Sequence, residues 1–405
     1  MQNLSYFKDM IKMKEKRISL SVLIACVIIT AALTAGLILC FVPNPLRGWL
    51  TNSDSLSKYY EIKSLIDDYF VEEISDGELA DGMALGAIYS LDDRYSAYFT
   101  AEEYSKVLDN NEGLGAGIGV DVTKHPDTGN IYVINVYNGS PAEAAGFKSG
   151  DSIVSVDGKN VADLGFDSAV ALIGGKEGTV CKIGVLRDGE ETVLEPVRGR
   201  YVMTSVYYHM INTVGYIQIT DFNTATVAQF KDAVADVTDK GATALIFDVR
   251  QNSGGTLDSV EKILDIILPE GDVVSATYKN GNKKVLFSSD KNEIDLPMTV
   301  LCNEKTASAA ELFAAAIRDF GKGKLVGGTT YGKGVMQRTF GLSDGSAVRL
   351  TIAYFNPPSG INFNGEGLTP DVSIELTDDQ DKYYYFLDDQ TDPVIAAALK
   401  VLENG

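Results

Sequence analysis

The chain has 405 residues, 45 % of them apolar, and a formal net charge of −21. That length holds two or three domains, and that apolar content excludes disorder throughout. The first 17 residues carry about +3 (five Lys/Arg against two acids), which leaves about −24 on the remainder. A body that acidic lacks the basic patches needed to hold nucleic acid or an anionic membrane surface.

Residues 18–42 read ISLSVLIACVIITAALTAGLILCFV. As a helix, such a run crosses about 30 Å of hydrocarbon. The cluster Lys12 to Arg17 before it is denser than the single Arg47 after it. The expectation is a cytoplasmic N-terminus over 1–17 and a transmembrane anchor over 18–42. The body would then be extracytoplasmic in a single-pass cell-membrane protein. The run exceeds a signal-peptide core, which favours an uncleaved anchor over a cleaved leader. Cys40 follows the bulky Leu39 and does not suit a lipidation site. Cys26 and Cys40 lie within the run, while Cys181 and Cys302 stand alone in strand-like segments. No CxxC or Cys/His cluster points to zinc, and no disulfide framework is readable.

Residues 53–112 read as a helical segment. Tyr59, Ile62, Ile66, Tyr69 and Phe70 recur at helical spacing, and further helices fit Leu79 to Leu91 and Ala101 to Asn110. From Gly113 to about residue 199, short strand-like runs broken by Gly, Asp and Pro predict a small β-rich domain with helical fragments at Ser140 to Gly146 and Asp167 to Gly174. Residues 200–375 alternate strands with helices, which predicts an α/β core. Its strands include ALIFDVR (244–250), MTVLCN (298–303), KLVGG (324–328) and VMQRTF (335–340). Its helices fit Ala225 to Lys240, Leu257 to Leu268 and Ser308 to Phe320. Residues 376–405 close with a short amphipathic helix entered at Asp392-Pro393.

Within this frame two residues stand out. Ser308 sits where a strand-like run gives way to the helix former AAELFAAAI, and Lys333 sits in Tyr331-Gly332-Lys333-Gly334. The only histidines are His125 and His209, and neither stands beside a nucleophile-like motif. A serine nucleophile here would therefore take a lysine as its base. The start of a helix offers unpaired N–H groups that can hold an oxyanion, first that of Ala309. A second donor can come from the glycines of Asn252-Ser253-Gly254-Gly255. To act near neutral pH, the Lys333 pKa must fall by about 3 units, which burial against apolar neighbours can achieve. Gln337 can orient the amine without recharging it. The plain alternative for Lys333 is a surface Gly-Lys-Gly turn.

Three motifs mislead. Gly327 to Lys333 mimics a phosphate-binding loop but continues into Gly334 and a strand. Ser55-Leu56-Ser57-Lys58 fits S-x-x-K without the S-D-N that completes a penicillin-recognising site. Gly113-Leu114-Gly115-Ala116-Gly117-Ile118-Gly119 resembles a dinucleotide fingerprint but leads into a strand. Its glycine N–H groups suit capture of a peptide C-terminal carboxylate, with the adjoining sheet edge accepting the tail as an added strand.

Together, the segments Ser140 to Gly146 and Gly150 to Gly158 resemble a bacterial PDZ domain. Asp248 to Gly255, Thr306 to Glu311 and Tyr331 to Gln337 resemble the active-site blocks of the carboxyl-terminal processing peptidases. Gly365 to Asp371 and Leu91 to Ser96 resemble further blocks of that family. The resemblance covers about 55–400 in family order. It implies a multidomain α+β and α/β protein: helical segment, PDZ domain (113–199) and crotonase/ClpP-like serine protease core. It also implies an endopeptidase that cuts near protein C-termini without metal or cofactor. Ser308 would be the nucleophile, Lys333 the base and Gln337 its orienting residue. Ala309 with Gly254 or Gly255 would supply oxyanion donors, and Glu311 would support the site. Protein tails would be the partners, and relatives' homodimerisation through helical segments suits 55–110 and 383–403. One departure is plain: where relatives often carry Arg in Leu-Ile-Arg-Gly, this chain reads Leu172-Ile173-Gly174-Gly175. That puts peptide-gated activation by such an arginine in doubt.

Overall fold

The computed structural model describes residues 27–30 and 53–404. The N-terminus over 1–17 and most of the span at 18–42 lie outside them. Among the described residues no helix is long and apolar enough to cross a membrane. The expected single-pass placement in the cell membrane is therefore corrected. Within that span only residues 27–30 are described, and they are helical.

The chain divides into two compact units, Met1–Ala80 and Asp81–Gly405. The first contains the helix Ser53–Tyr69, where Lys63 pairs with Asp67 one turn on at 2.9 Å. The helix Asp76–Tyr89 runs across the division. In the second unit Ala101–Glu112 begins at a capping box: Thr100 accepts from the Glu103 N–H while the Glu103 carboxylate accepts from the Thr100 N–H. It ends on Gly113, whose φ of 77° is the left-handed cap that glycine adopts without strain.

The β-rich part is an antiparallel sheet in the order Val120–Lys124, Ile131–Val136, Ser152–Val156, Ile183–Arg187, Glu190–Leu194. Ile131, Val133, Ile153, Val156, Ile183 and Val185 fill its core, and the helix Phe166–Ile173 packs on it through Ala169 and Ile173. Arg198 is buried and donates to the carbonyls of Leu172 (2.7 Å) and Ile173 (2.9 Å), ending the helix in place of water. A Cβ at Gly175 would stand 2.9 Å from the Arg198 Nε, so this guanidinium already occupies the space beside the Gly174-Gly175 turn.

The α/β core is built on a six-stranded sheet in the order Val206–Ile211, Val214–Ile219, Ala244–Asp248, Met298–Cys302, Gly323–Gly327, Val372–Ser373, parallel after its first pair. Side chains alternate across a strand. Leu245 and Phe247 therefore face the core under the helices Thr224–Asp239, Leu257–Ile267 and Ala309–Asp319, while Ile246 faces Val394, Ile395 and Ala398 of Pro393–Asn404. Ala309 to Ile317 are all buried, which explains why that stretch is apolar on every face except at Glu311.

A second, antiparallel sheet joins Ala97–Phe99, Ala347–Asn356, Gly271–Tyr278 and Lys283–Ser289, with Val335–Gly341 also paired to Ala347–Asn356. It brings the segment before the β-rich domain against the hairpin that carries Gln337. A ribbon of Leu114–Gly117 with Gly199–Val202 links the β-rich domain to its surroundings. The C-terminal segment also meets that domain. Phe386 stacks on Tyr132 at 4.5 Å between centroids and on His125 at 5.2 Å, and the Tyr383 hydroxyl donates to Asp127 at 2.6 Å.

Candidate active site

Ser308 stands between the strand Met298–Cys302 and the helix Ala309–Asp319 with φ 58° and ψ −117°, a conformation that strains any residue with a Cβ. The turn before it is laced to the loop after Ala244–Asp248. Thr306 donates through its hydroxyl to the Val249 carbonyl (2.9 Å), and Ala307 donates to the Asn252 carbonyl (2.9 Å). Below, Arg250 is buried, with Nη2 at 2.6 Å from Asp248 and Nη1 at 2.8 Å from Asp392.

The Asn252 side chain organises the glycine turn. It donates to the Ile219 carbonyl (2.8 Å), and its oxygen accepts from the Gly254 N–H (2.8 Å). The N–H groups of Gly255 and Ala309 have no acceptor among the described residues. Only glycine fits at 254: φ is +113°, and a Cβ would come within 2.9 Å of the Ser308 Cβ and the Ala307 carbonyl oxygen.

Glu311, fully buried, joins the two halves of the site. Its Oε2 accepts from the N–H of Ser308 (2.8 Å) and of Lys333 (2.8 Å). Its Oε1 accepts from the Thr330 hydroxyl (2.6 Å) and the Gly332 N–H (2.7 Å). Burial pushes its pKa up and the four donors pull it back. All four partners donate, so the acceptor-only carboxylate is the form they fit. Gly332 and Gly334 are tight: a Cβ would meet the Gly367 nitrogen or the Asn362 side chain at 2.8 Å.

Lys333 is partly buried. Its amine lies over the Tyr95 ring, 4.8 Å from the centroid, and makes no ion pair among the described residues. Burial, and then the nearby Arg349 guanidinium, hold its pKa below the ordinary lysine value. Gln337 follows a β-bulge and donates through Nε2 to the Val335 carbonyl (3.2 Å) and the Thr351 hydroxyl (3.3 Å).

Ser308, Ala309, Gly255, Lys333 and Gln337 all line one cavity of about 410 Å³, whose apolar wall includes Leu312, Met336 and Phe355. No hydrogen bond joins the Ser308 hydroxyl to the Lys333 amine, or Gln337 to Lys333, among the described residues. Tyr95, Arg94 and Arg349 were not singled out from the sequence. Arg94 and Tyr95 lie in the Leu91 to Ser96 block, whose resemblance assigned no residue a role, and Arg349 lies in the strand Ala347–Asn356, for which the sequence offered no motif. The seven residues proposed for peptide capture divide. Gly113 caps a helix, Leu114–Gly117 form the ribbon, and Gly117 to Gly119 make the turn into Val120–Lys124.

The sequence matches the family model "Peptidase family S41" over residues 213–374 and that of "PDZ domain" over 116–195. It is 36 % identical over 354 residues to the carboxy-terminal processing protease CtpA of Bacillus subtilis (strain 168), covering 85 % of this chain and 75 % of that one. It is 33 % identical over 361 residues to a probable CtpA-like serine protease of Staphylococcus aureus (strain COL), covering 88 % and 72 %. Among solved structures, a putative S41 protease from Bacteroides fragilis NCTC 9343 superposes with a TM-score of 0.60 at 18 % identity, over 83 % of this chain and 91 % of that one. That likeness speaks to the fold. A PDZ domain, an S41 domain and this extent of identity place the chain in peptidase family S41, among the carboxy-terminal processing serine proteases.

Proposed function

We propose that the protease works through a Ser308–Lys333 dyad and a covalent acyl-enzyme. The neutral Lys333 amine takes the Ser308 proton as Oγ attacks the carbonyl carbon of the scissile bond. The N–H groups of Ala309 and Gly255 hold the resulting oxyanion; Gly255 fits better than Gly254, whose N–H is engaged by Asn252. Collapse breaks the C–N bond, and the Lys333 ammonium returns its proton to the leaving amine. Water then attacks the ester, with Lys333 again accepting and releasing the proton. Gln337 Oε1 receives no bond from the described residues and is the acceptor that steadies the ammonium.

The observation that carries this reading is a partly buried lysine without a carboxylate partner in the same cavity as a strained serine at a helix start. The dyad hydrogen bond forms on substrate binding, since such bonds are often long in the free enzyme. The PDZ domain presents the tail. Val120–Lys124 is an edge strand able to accept it as an added strand, and the Gly117 to Gly119 turn lies at its entrance to take the terminal carboxylate. A serine-directed phosphonate tests the reading. Mass spectrometry should find it on Ser308, and Lys333→Ala should abolish labelling. Labelling elsewhere, or turnover by Ser308→Ala, sinks it.

A further inference from the structure

Arg349 carries a charge for which the described residues provide no partner. It lies in Ala347–Asn356, paired with Thr339 on one side and Ala97 on the other. Its side chain lines the catalytic cavity with Ser308 and Lys333. The Phe99 ring holds the guanidinium at 5.0 Å from its centroid, which fixes its direction. No ion pair or hydrogen bond reaches it among the described residues, and its Nε is buried without an acceptor.

This is not for want of acids. The chain has 56 Asp and Glu against 35 Lys and Arg. The carboxylates that act on Lys333 in the same cleft are already engaged: Glu311 by four donors, and Asp93 by the Ser96 hydroxyl (2.6 Å) and the Tyr95 N–H (3.1 Å). An unpaired, partly buried guanidinium is costly unless a charge-bearing ligand completes it. Its planar fork matches a carboxylate bidentately.

We propose that Arg349 is a receptor for a substrate carboxylate inside the catalytic cleft, so that tails placing an anionic carboxylate there are processed in preference to neutral ones. The inference rests on the hydrolase reading above. The apolar wall of Leu312, Met336 and Phe355 takes a hydrophobic side chain while the Arg349 end takes the charge. The carboxylate can come from an acidic side chain near the scissile bond or from the tail's own terminus.

The test uses the full chain and fluorogenic disordered peptides. Glu or Gln is placed in turn at the positions flanking the cut, with each peptide made as free acid and as terminal amide. The wild type should prefer the carboxylate by on the order of 10- to 100-fold in kcat/KM, the range of a charge-assisted hydrogen bond. Arg349→Gln should lose that ratio and Arg349→Lys should keep part of it. Loss of the Glu:Gln ratio assigns the side chain as source; loss of the acid:amide ratio assigns the terminus. Tail capture by the PDZ domain is common to all the variants, so only the part of each ratio that Arg349→Gln removes is counted. Unchanged ratios in Arg349→Gln overturn the proposal. If the wild type cleaves none of the peptides, the hydrolase reading fails on its own. Anisotropy of the same peptides on Ser308→Ala, with and without Arg349→Gln, then decides the carboxylate site: equal affinity for acid and neutral peptides overturns it.

Discussion

The backbone N–H groups of Ser308 and Lys333 donate to the same atom, Glu311 Oε2, each at 2.8 Å. A buried carboxylate thereby sets the distance between the helix start and the glycine-flanked loop. The two side chains of the proposed dyad are held from behind, through their own main chain, and both line the same cavity.

Replacing Glu311 by Gln should therefore be severe. The amide presents a donor to N–H or O–H groups that previously found an acceptor. With about 1–3 kcal/mol for each buried donor left unpaired, a loss of about 2–4 kcal/mol is expected. Urea denaturation measures it, and phosphonate labelling of Ser308 should fall in parallel. A variant of native stability and full labelling would contradict the bridging role.

Ser308→Ala and Lys333→Ala should each lower kcat on an unstructured tail by about 10³-fold or more, with circular dichroism unchanged. Lys333→Arg should be equally inactive, because a guanidinium stays protonated and cannot accept the Ser308 proton. Activity in Lys333→Arg above that of Lys333→Ala would remove lysine from the role of base.

The backbone at Ser308 predicts a gain as well as a loss. At φ 58° and ψ −117° a side chain is strained. Ser308→Gly should be more stable than Ser308→Ala by about 1 kcal/mol while being equally inactive, since strain of this kind costs about 1–3 kcal/mol and glycine escapes it. Matched urea midpoints for the two variants would show that the conformation costs nothing.

The pH profile follows from the neighbours of Lys333. A base must be uncharged, so kcat/KM should rise with pH through a pKa below the ordinary lysine value. Burial and the Arg349 charge lower it, Glu311 and Asp93 oppose them, and Arg94 adds a smaller lowering. Removing the guanidinium in Arg349→Gln should move the acidic limb to higher pH, and Arg349→Lys should move it less. A limb that stays in place, or moves down, would contradict the electrostatic assignment.

Phe386→Ala removes the ring that stacks on Tyr132 and His125. It should cost about 1 kcal/mol and raise amide exchange over residues 125–132 while the Ala309–Asp319 helix stays protected. Equal exchange in both forms would show that the C-terminal segment does not brace the PDZ domain.

The sequence by itself determined the core helices Thr224–Asp239, Leu257–Ile267 and Ala309–Asp319, the order of the PDZ and S41 domains, and the choice of Ser308, Lys333 and Gln337 as residues that meet in one cavity. Each of these depends on periodicity, or on residue types a few positions apart. Only the tertiary structure decided which N–H groups stay free. Asn252 takes that of Gly254 and leaves that of Gly255, and the ribbon pairs Leu114–Gly117 with Gly199–Val202. It also brought Tyr95 over Lys333 and left Arg349 unpaired in the cleft. Those arrangements depend on strand register between segments such as Ser96 and Thr351, 255 residues apart, where no local preference reports the partner. A chain's neighbours along the backbone dictate what a residue can do. Pairing across the sheet dictates which groups are already satisfied, and a group left unsatisfied is one that a substrate can meet.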